Sequence, residues 1–162
     1  MIGRRRIELA FTLVELLAVI AIIGIVTAVI VAFSADSFRK TQLRDGATQL
    51  VADLNRARAQ AQRTSSNSVV TLTTAAVGSP DANYTTQWAG AATATSKALP
   101  TPIRVAPYNS TYSLGSITYF APYGEVTATG ILWEVSSLST ATKLYIKAVG
   151  VTGKVMLSAT PN

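Results

Sequence analysis

No cysteine and no histidine occur in the 162 residues of this chain. Their absence excludes disulfides, thiolate or imidazole metal sites, and catalysis built on Cys or His. The cysteine count therefore does not report the redox compartment. The six acidic residues that follow Phe33 are scattered singly. They form no paired-carboxylate spacing, and no Gly-rich phosphate loop accompanies them. The chain thus reads as a non-enzyme with no catalytic residue, no metal and no cofactor. Proline is absent before Pro80, so nothing interrupts a helix through the first half of the sequence. No internal repeat is visible.

What the chain does have is a long apolar run. Leu9 through Phe33 is 25 residues with a single ionisable group, Glu15. As a helix it measures roughly 37 Å, enough to cross a bilayer. Arg4, Arg5 and Arg6 precede it, so the positive-inside rule keeps that end cytoplasmic and sends the remainder outward. Three readings compete for this segment. One is a plain single-span anchor. Another is a secretory signal cut near Ala32-Phe33-Ser34, although such signals have a shorter apolar core without a carboxylate. The third must also explain Glu15, because a carboxylate at membrane depth costs a few kcal/mol and marks a functional candidate.

The stretch Ala10-Phe11-Thr12-Leu13-Val14-Glu15-Leu16-Leu17, with the Arg cluster ahead of it, resembles the type III signal of type IV pilins and type II secretion pseudopilins. The resemblance runs through about fifteen residues and supplies that third reading. It implies cleavage between Ala10 and Phe11 by a prepilin peptidase, N-methylation of Phe11, and a role for Glu15 in filament assembly. The family usually has Gly before the cut; Ala10 is also small enough for a tight subsite. The partners implied are other pilin or pseudopilin subunits through the N-terminal helix, the peptidase and inner-membrane lipid. The implied location is the bacterial inner membrane, single-pass with the C-terminus in the periplasm, and then a filament. Many major pilins staple their C-terminal region with a disulfide; this chain must hold it by packing.

Beyond Phe33 the pattern becomes amphipathic. Leu43, Ala47, Leu50, Leu54, Ala57 and Ala61 recur at helical intervals, with Arg44, Asp45, Asp53, Arg56, Arg58 and Arg63 assigned to the solvent side. One helix from about Phe11 to Arg63 is expected, ended by Ser65-Ser66-Asn67-Ser68, with Gly24 and Gly46 as flexible points. Arg56 to Leu72 is similar to the passage from helix end to first strand in the GspH/FimT group of minor pilins. Ile117-Thr118-Tyr119-Phe120-Ala121-Pro122-Tyr123-Gly124 looks like that group's strand and Phe-x-Pro-x-Gly turn. Thr73 to Pro102 reads as an excursion with one short strand near Tyr84 to Trp88. Ile131, Trp133 and Val135, then Leu144, Ile146 and Ala148, alternate as strands of an antiparallel sheet. The expected fold class is α+β and pilin-like. It comprises a leader at 1–10, a transmembrane helix half at 11–33, an amphipathic half at 34–64 and a β-rich domain at 65–162.

The last strands carry one candidate surface. A hairpin across Gly150-Val151-Thr152-Gly153 pairs Val149 with Lys154 and Lys147 with Met156. Leu144, Ile146, Ala148, Val155 and Leu157 then share the core face, and Lys143, Tyr145, Lys147 and Lys154 the opposite one. Lysines beside an aromatic can hold nucleic acid through phosphate charge and stacking, so these four are candidate DNA contacts. FimT-like minor pilins include DNA-uptake members with a basic motif that begins Gly-Arg; here it reads Gly153-Lys154-Val155-Met156, which is incomplete. Exposed strand lysines also serve simply to blunt an edge. After Phe33 eleven basic residues face six acidic ones, a mild excess that suits anionic partners and is equally ordinary for a secreted domain. A DNA-binding minor pilin and a major pilin are the alternatives to a minor structural subunit.

Overall fold

The computed structural model describes residues 12–73, 83–100, 102–108, 115–127, 130–138 and 140–161. One helix, α1 (Leu13–Thr64), runs for 52 residues. It begins where Thr12 caps it and ends at Ser65, whose φ of 52° leaves the helical region. Hydroxyls within the apolar half satisfy themselves locally: Thr27 donates to the Ile23 carbonyl and Ser34 to that of Ile30, each at 2.8 Å. Such back-bonding is how a helix carries hydroxyls where water is scarce.

The chain divides into two compact units, Met1–Ser37 and Phe38–Asn162. In the first, every residue from Thr12 to Val31 is exposed, and an 18-residue window reaches a mean hydropathy of 3.1. Among the described residues of that unit, nothing covers these side chains.

The second unit holds a conventional core. Leu43, Ala47, Leu50, Leu54, Ala57 and Ala61 are all at most 1% exposed, as the helical spacing predicts. They pack on two four-stranded antiparallel sheets, where the sequence predicted one. The first has the order β3 (Thr95–Ala98), β2 (Asn83–Gln87), β1 (Ser68–Leu72), β5 (Ser116–Tyr119). The second has the order β4 (Ile103–Pro107), β6 (Ile131–Ser137), β7 (Thr140–Ala148), β8 (Val155–Ser158). Val70, Tyr84, Ile117 and Tyr119 from one sheet meet Ile103, Val105, Trp133, Val135 and Ile146 from the other in a single cluster with the helix stripe.

The expected strand near Tyr84 is present as β2, but β3 and β4 were unforeseen. β3 has no apolar alternation, being exposed along most of its length. β4 ends in Pro107, which an edge strand tolerates because no ladder donor is needed on its open side. Gly46 is a close-packing point rather than a flexible one. A Cβ there would collide with the Cδ1 atom of Ile103 and lie 3.5 Å from Pro100.

Candidate functional site

The leader junction, Ala10 and Phe11, lies outside the described residues. The first described residue, Thr12, caps α1: its Oγ1 accepts the Glu15 backbone N–H at 3.2 Å, and its carbonyl accepts from Leu16 at 3.2 Å. Thr12-x-x-Glu15 has the spacing of a capping box, so the residue types that resemble a processing signal also start the helix. Glu15 is exposed in the first turn, where the helix dipole favours negative charge. The sequence reading singled out Glu15 and missed its partner Thr12, although the S/T-x-x-E pattern was there to be read.

The terminal hairpin has the expected register. Lys147 pairs with Met156 and Ala148 with Val155, and the Val149 N–H reaches the Lys154 carbonyl at 2.8 Å. Ile146, Ala148 and Val155 are buried as anticipated, while Leu157 remains 37% exposed. The outward face differs from expectation. Tyr145 is only 9% exposed, with Tyr108 set edge-on at 5.5 Å between ring centroids and 85° between planes. Its ring therefore offers no open surface for stacking. Lys143 is paired with Glu134 at 2.9 Å. The hydrogen bond and charge of Glu134 hold its ammonium above the usual lysine range. Lys147 is half-buried and Lys154 exposed.

Strand pairing places Glu134 directly across from Tyr145, and Arg104 across from Ser136, on that same face. The Arg104 Nε is buried with no hydrogen-bond partner among the described residues. Glu134 could have been read from its even position in the alternation of β6. Arg104 and Tyr108 could not, because β4 itself was not foreseen.

A second polar group sits inside the fold. Asp53 was expected to face solvent, but it is 8% exposed. Lys97 of β3 approaches both its carboxylate oxygens at 2.8 Å, and the Tyr84 hydroxyl donates to Oδ2. Gln49 reaches the Tyr84 hydroxyl at 3.4 Å and the Ala98 carbonyl at 3.3 Å. Trp88 takes Arg56 and Lys97 at 5.2 and 5.5 Å from its ring. Burial first, and the Asp53 hydrogen bond second, push the Tyr84 hydroxyl well above its ordinary value. This group ties the edge hairpin β2–β3 to the helix, a task for which other small folds use a disulfide.

At the C-terminal end of α1, Gln62 donates to the Tyr123 carbonyl at 2.8 Å, and the Asn67 side chain accepts the Ala121 N–H at 3.0 Å. The Phe-x-Pro-x-Gly turn is thus fastened to the helix end. Gly124 (φ 67°) lies against Arg58, and Gly153 (φ 62°) lies against the Gly124 carbonyl. The glycine that opens the Gly153-Lys154 pair therefore has a packing reason to be glycine. The described residues contain no group of His, Cys, Asp and Glu suited to a metal ion.

Residues 5–31 match the family model described as the prokaryotic N-terminal methylation motif. No curated protein matches the chain. Among solved structures, the fold is similar to the type IV minor pilin FimU of Pseudomonas aeruginosa PAO1. The TM-score is 0.58 at 12% identity, over 74% of this chain and 90% of that one. At that identity the likeness is one of fold.

Proposed function

We propose that this chain, a type IV pilin-family protein with a minor-pilin-like fold, is a minor structural subunit of a type IV pilus. The observation that carries the reading is the apolar helix half. From Leu13 to Val31 the residues are apolar almost throughout and exposed, and they lie within the span that matches the methylation motif. Such a surface is stable only in lipid or against other helices of its kind. In this reading 1–10 is the leader, 11–33 the membrane and filament helix, 34–64 its amphipathic continuation and 65–162 the periplasmic β-domain. A prepilin peptidase cuts between Ala10 and Phe11, and Phe11 becomes methylated. The subunit waits in the inner membrane, single-pass, before it joins its neighbours.

Glu15 is the assembly residue in this account. A neighbour's Phe11 amine can approach its carboxylate when helix starts bundle. Charge pairing then offsets the burial of both groups, and an unpaired member would be costly. Thr12 adds a competing role, because Glu15 also occupies the capping position. Gln satisfies a capping box but carries no charge, so the two roles separate experimentally.

The test is performed in the native host, in a strain lacking the wild-type copy. Intact mass of the filament-borne chain should begin at methylated Phe11; a start at Ala35 would indicate an ordinary signal peptide. Glu15→Ala and Glu15→Gln should both be cleaved and membrane-held yet depleted from sheared filaments. Normal incorporation of Glu15→Ala would remove Glu15 from assembly, and a defect confined to Ala would assign it to the cap.

A second reading is a DNA-binding minor pilin for natural transformation. Lys147 and Lys154 on one strand face favour it, but the buried ring of Tyr145 and the Lys143–Glu134 pair weaken that surface. Salt-dependent DNA binding that falls with Lys147→Gln and Lys154→Gln would support it. The same architecture would serve a type II secretion pseudopilus, which neighbouring genes distinguish. A major pilin would dominate sheared filaments by mass.

A further inference from the structure

Two turns meet at one end of the Phe38–Asn162 unit. The Phe120–Glu125 turn is fastened to α1 by Gln62, which donates to the Tyr123 carbonyl at 2.8 Å. The Val149–Gly153 turn lies against it: the Val151 N–H reaches the Val126 carbonyl at 3.3 Å, and Gly153 packs on the Gly124 carbonyl. Together they present an apolar tip on which Phe120, Tyr123, Val149 and Val151 are all exposed, Tyr123 by 71% and Val151 by 59%. Val151 is the anomaly. Its φ is 64°, a conformation that a β-branched residue rarely adopts and that strains its backbone. Gly or Asn would hold the same turn without that strain. A strained residue whose apolar side chain stands in water gains nothing within the fold, so its use lies in a contact outside it.

The other end of the same unit has an open apolar groove of about 340 Å³. Leu43 of α1, Leu144 of β7 and Leu157 of β8 line it, with Arg44 at its side and no acidic residue. Leu157 is 37% exposed, so the lining is accessible. The tip bears the opposite charge, for Glu125 is exposed in the turn that holds Tyr123. Neither Arg44 nor Glu125 forms an ion pair with a described residue. About 28 Å of helix separates Leu43, at the groove, from Gln62, at the tip. The β7–β8 hairpin spans the same interval, with Val149 at the tip and Thr142 at the groove. A chain cannot place its tip in its own groove. A second copy can supply it.

We propose that the tip of one copy seats in the groove of another, with Tyr123 over Leu43, Leu144 and Leu157 and with Glu125 against Arg44. The contact joins two different patches and leaves each pair with one free tip and one free groove, so it extends as a row instead of closing as a dimer. It goes beyond the subunit reading, because it needs only the Phe38–Asn162 unit. It would let copies of this chain follow one another.

The chain's lack of cysteine makes the test direct. Thr152→Cys marks the tip and Ala159→Cys the groove, both at exposed positions that leave the apolar contacts in place. Full-length single variants in mild detergent are oxidised separately and as a mixture, then separated on a non-reducing gel. The mixture should give a covalent dimer about ten-fold above either variant alone. A chain carrying both cysteines should give a ladder of higher species, since its own two thiols lie at opposite ends of β8, beyond disulfide reach. In the mixture, Tyr123→Ala in the tip-marked chain should lower the dimer yield about ten-fold. Arg44→Glu in the groove-marked chain should lower it about five-fold, and Glu125→Arg in the other chain should restore it. Val151→Gly should raise the melting temperature of the chain and still lower the yield.

A dimer that forms as readily from either single variant as from the mixture would overturn the proposal, because the contact would then join like patches. A yield indifferent to Tyr123→Ala, or a charge reversal that Glu125→Arg does not rescue, would overturn it as well. So would a Val151→Gly chain that cross-links as well as its parent. Absence of the chain from sheared filaments would refute the subunit reading and leave the cross-linking result standing.

Discussion

Removing the Lys97 ammonium should strand the Asp53 carboxylate inside the fold. Asp53 is one of three buried polar residues among those described, with its side chain 11% exposed against 29% for Lys97. Lys97→Met deletes both 2.8 Å contacts and leaves the carboxylate with the Tyr84 hydroxyl alone. Breaking a buried pair from one side costs about 3–5 kcal/mol, and the partial exposure of this pair places it at the low end, about 3 kcal/mol. For a unit of this size that is a fall in melting temperature of about 10–15 °C. The compact unit Phe38–Asn162 contains the whole core cluster and is the object to melt or to unfold in urea. Removing the charge as well, in Asp53→Leu with Lys97→Met, should recover at least a third of the loss, because no ion is then left buried. A loss below about 1 kcal/mol for Lys97→Met would place the pair in the class of exposed ion pairs and refute the reasoning. A double variant no more stable than the single one would refute it equally.

Two further outcomes follow from the same core. Burial raises the hydroxyl pKa of Tyr84 and of Tyr119, for Tyr119 against the opposing charge of Arg58. Above about pH 10 the unfolded tyrosines release protons that the folded ones keep, so stability falls as pH rises, by up to about 1.4 kcal/mol per pH unit for each residue. Tyr119→Phe should cost little at pH 7, since its hydroxyl has no partner among the described residues, and should shallow the alkaline loss measured by urea unfolding at pH 8 to 11. An unchanged slope would refute this. Gly153→Ala places a Cβ against the Gly124 carbonyl at a φ of 62° and should cost about 2 kcal/mol or more, whereas Gly115→Ala, whose Cβ would meet none of the described residues within 4 Å, should be nearly neutral. Equal urea midpoints for the two variants would show that the two turns do not need their close approach.

Periodic features are legible in the sequence alone. The helix stripe from Leu43 to Ala61 and the alternation of Ile131, Trp133 and Val135 follow from backbone geometry, which repeats along the chain whatever surrounds it. The hairpin register across Gly150–Gly153 was legible for the same reason, since a turn of fixed length aligns its own strands. What failed to read were contacts made between distant parts of the chain. Asp53 has a polar side chain at a position that looked solvated, and its burial depends on Lys97, 44 residues later and on a strand without apolar alternation. Tyr145 lies on the outward face as its parity required, yet Tyr108, from an unforeseen strand, covers it.

The sequence by itself determined the two halves of the helix: one apolar throughout, one striped, joined without a proline and begun by Thr12-Leu13-Val14-Glu15. Those properties are local, and they sufficed to read a segment that matches the N-terminal methylation motif, and the α+β class. Only the tertiary structure decided that the strands divide into two sheets. It alone sank Asp53 and Tyr145 into the fold, made Gly46 and Gly153 packing positions, and left an open groove between Leu43 and Leu157. The physical reason is that burial belongs to pairs of surfaces. A residue's own neighbours in sequence fix which way it points, and the segment that arrives from elsewhere fixes whether water remains there.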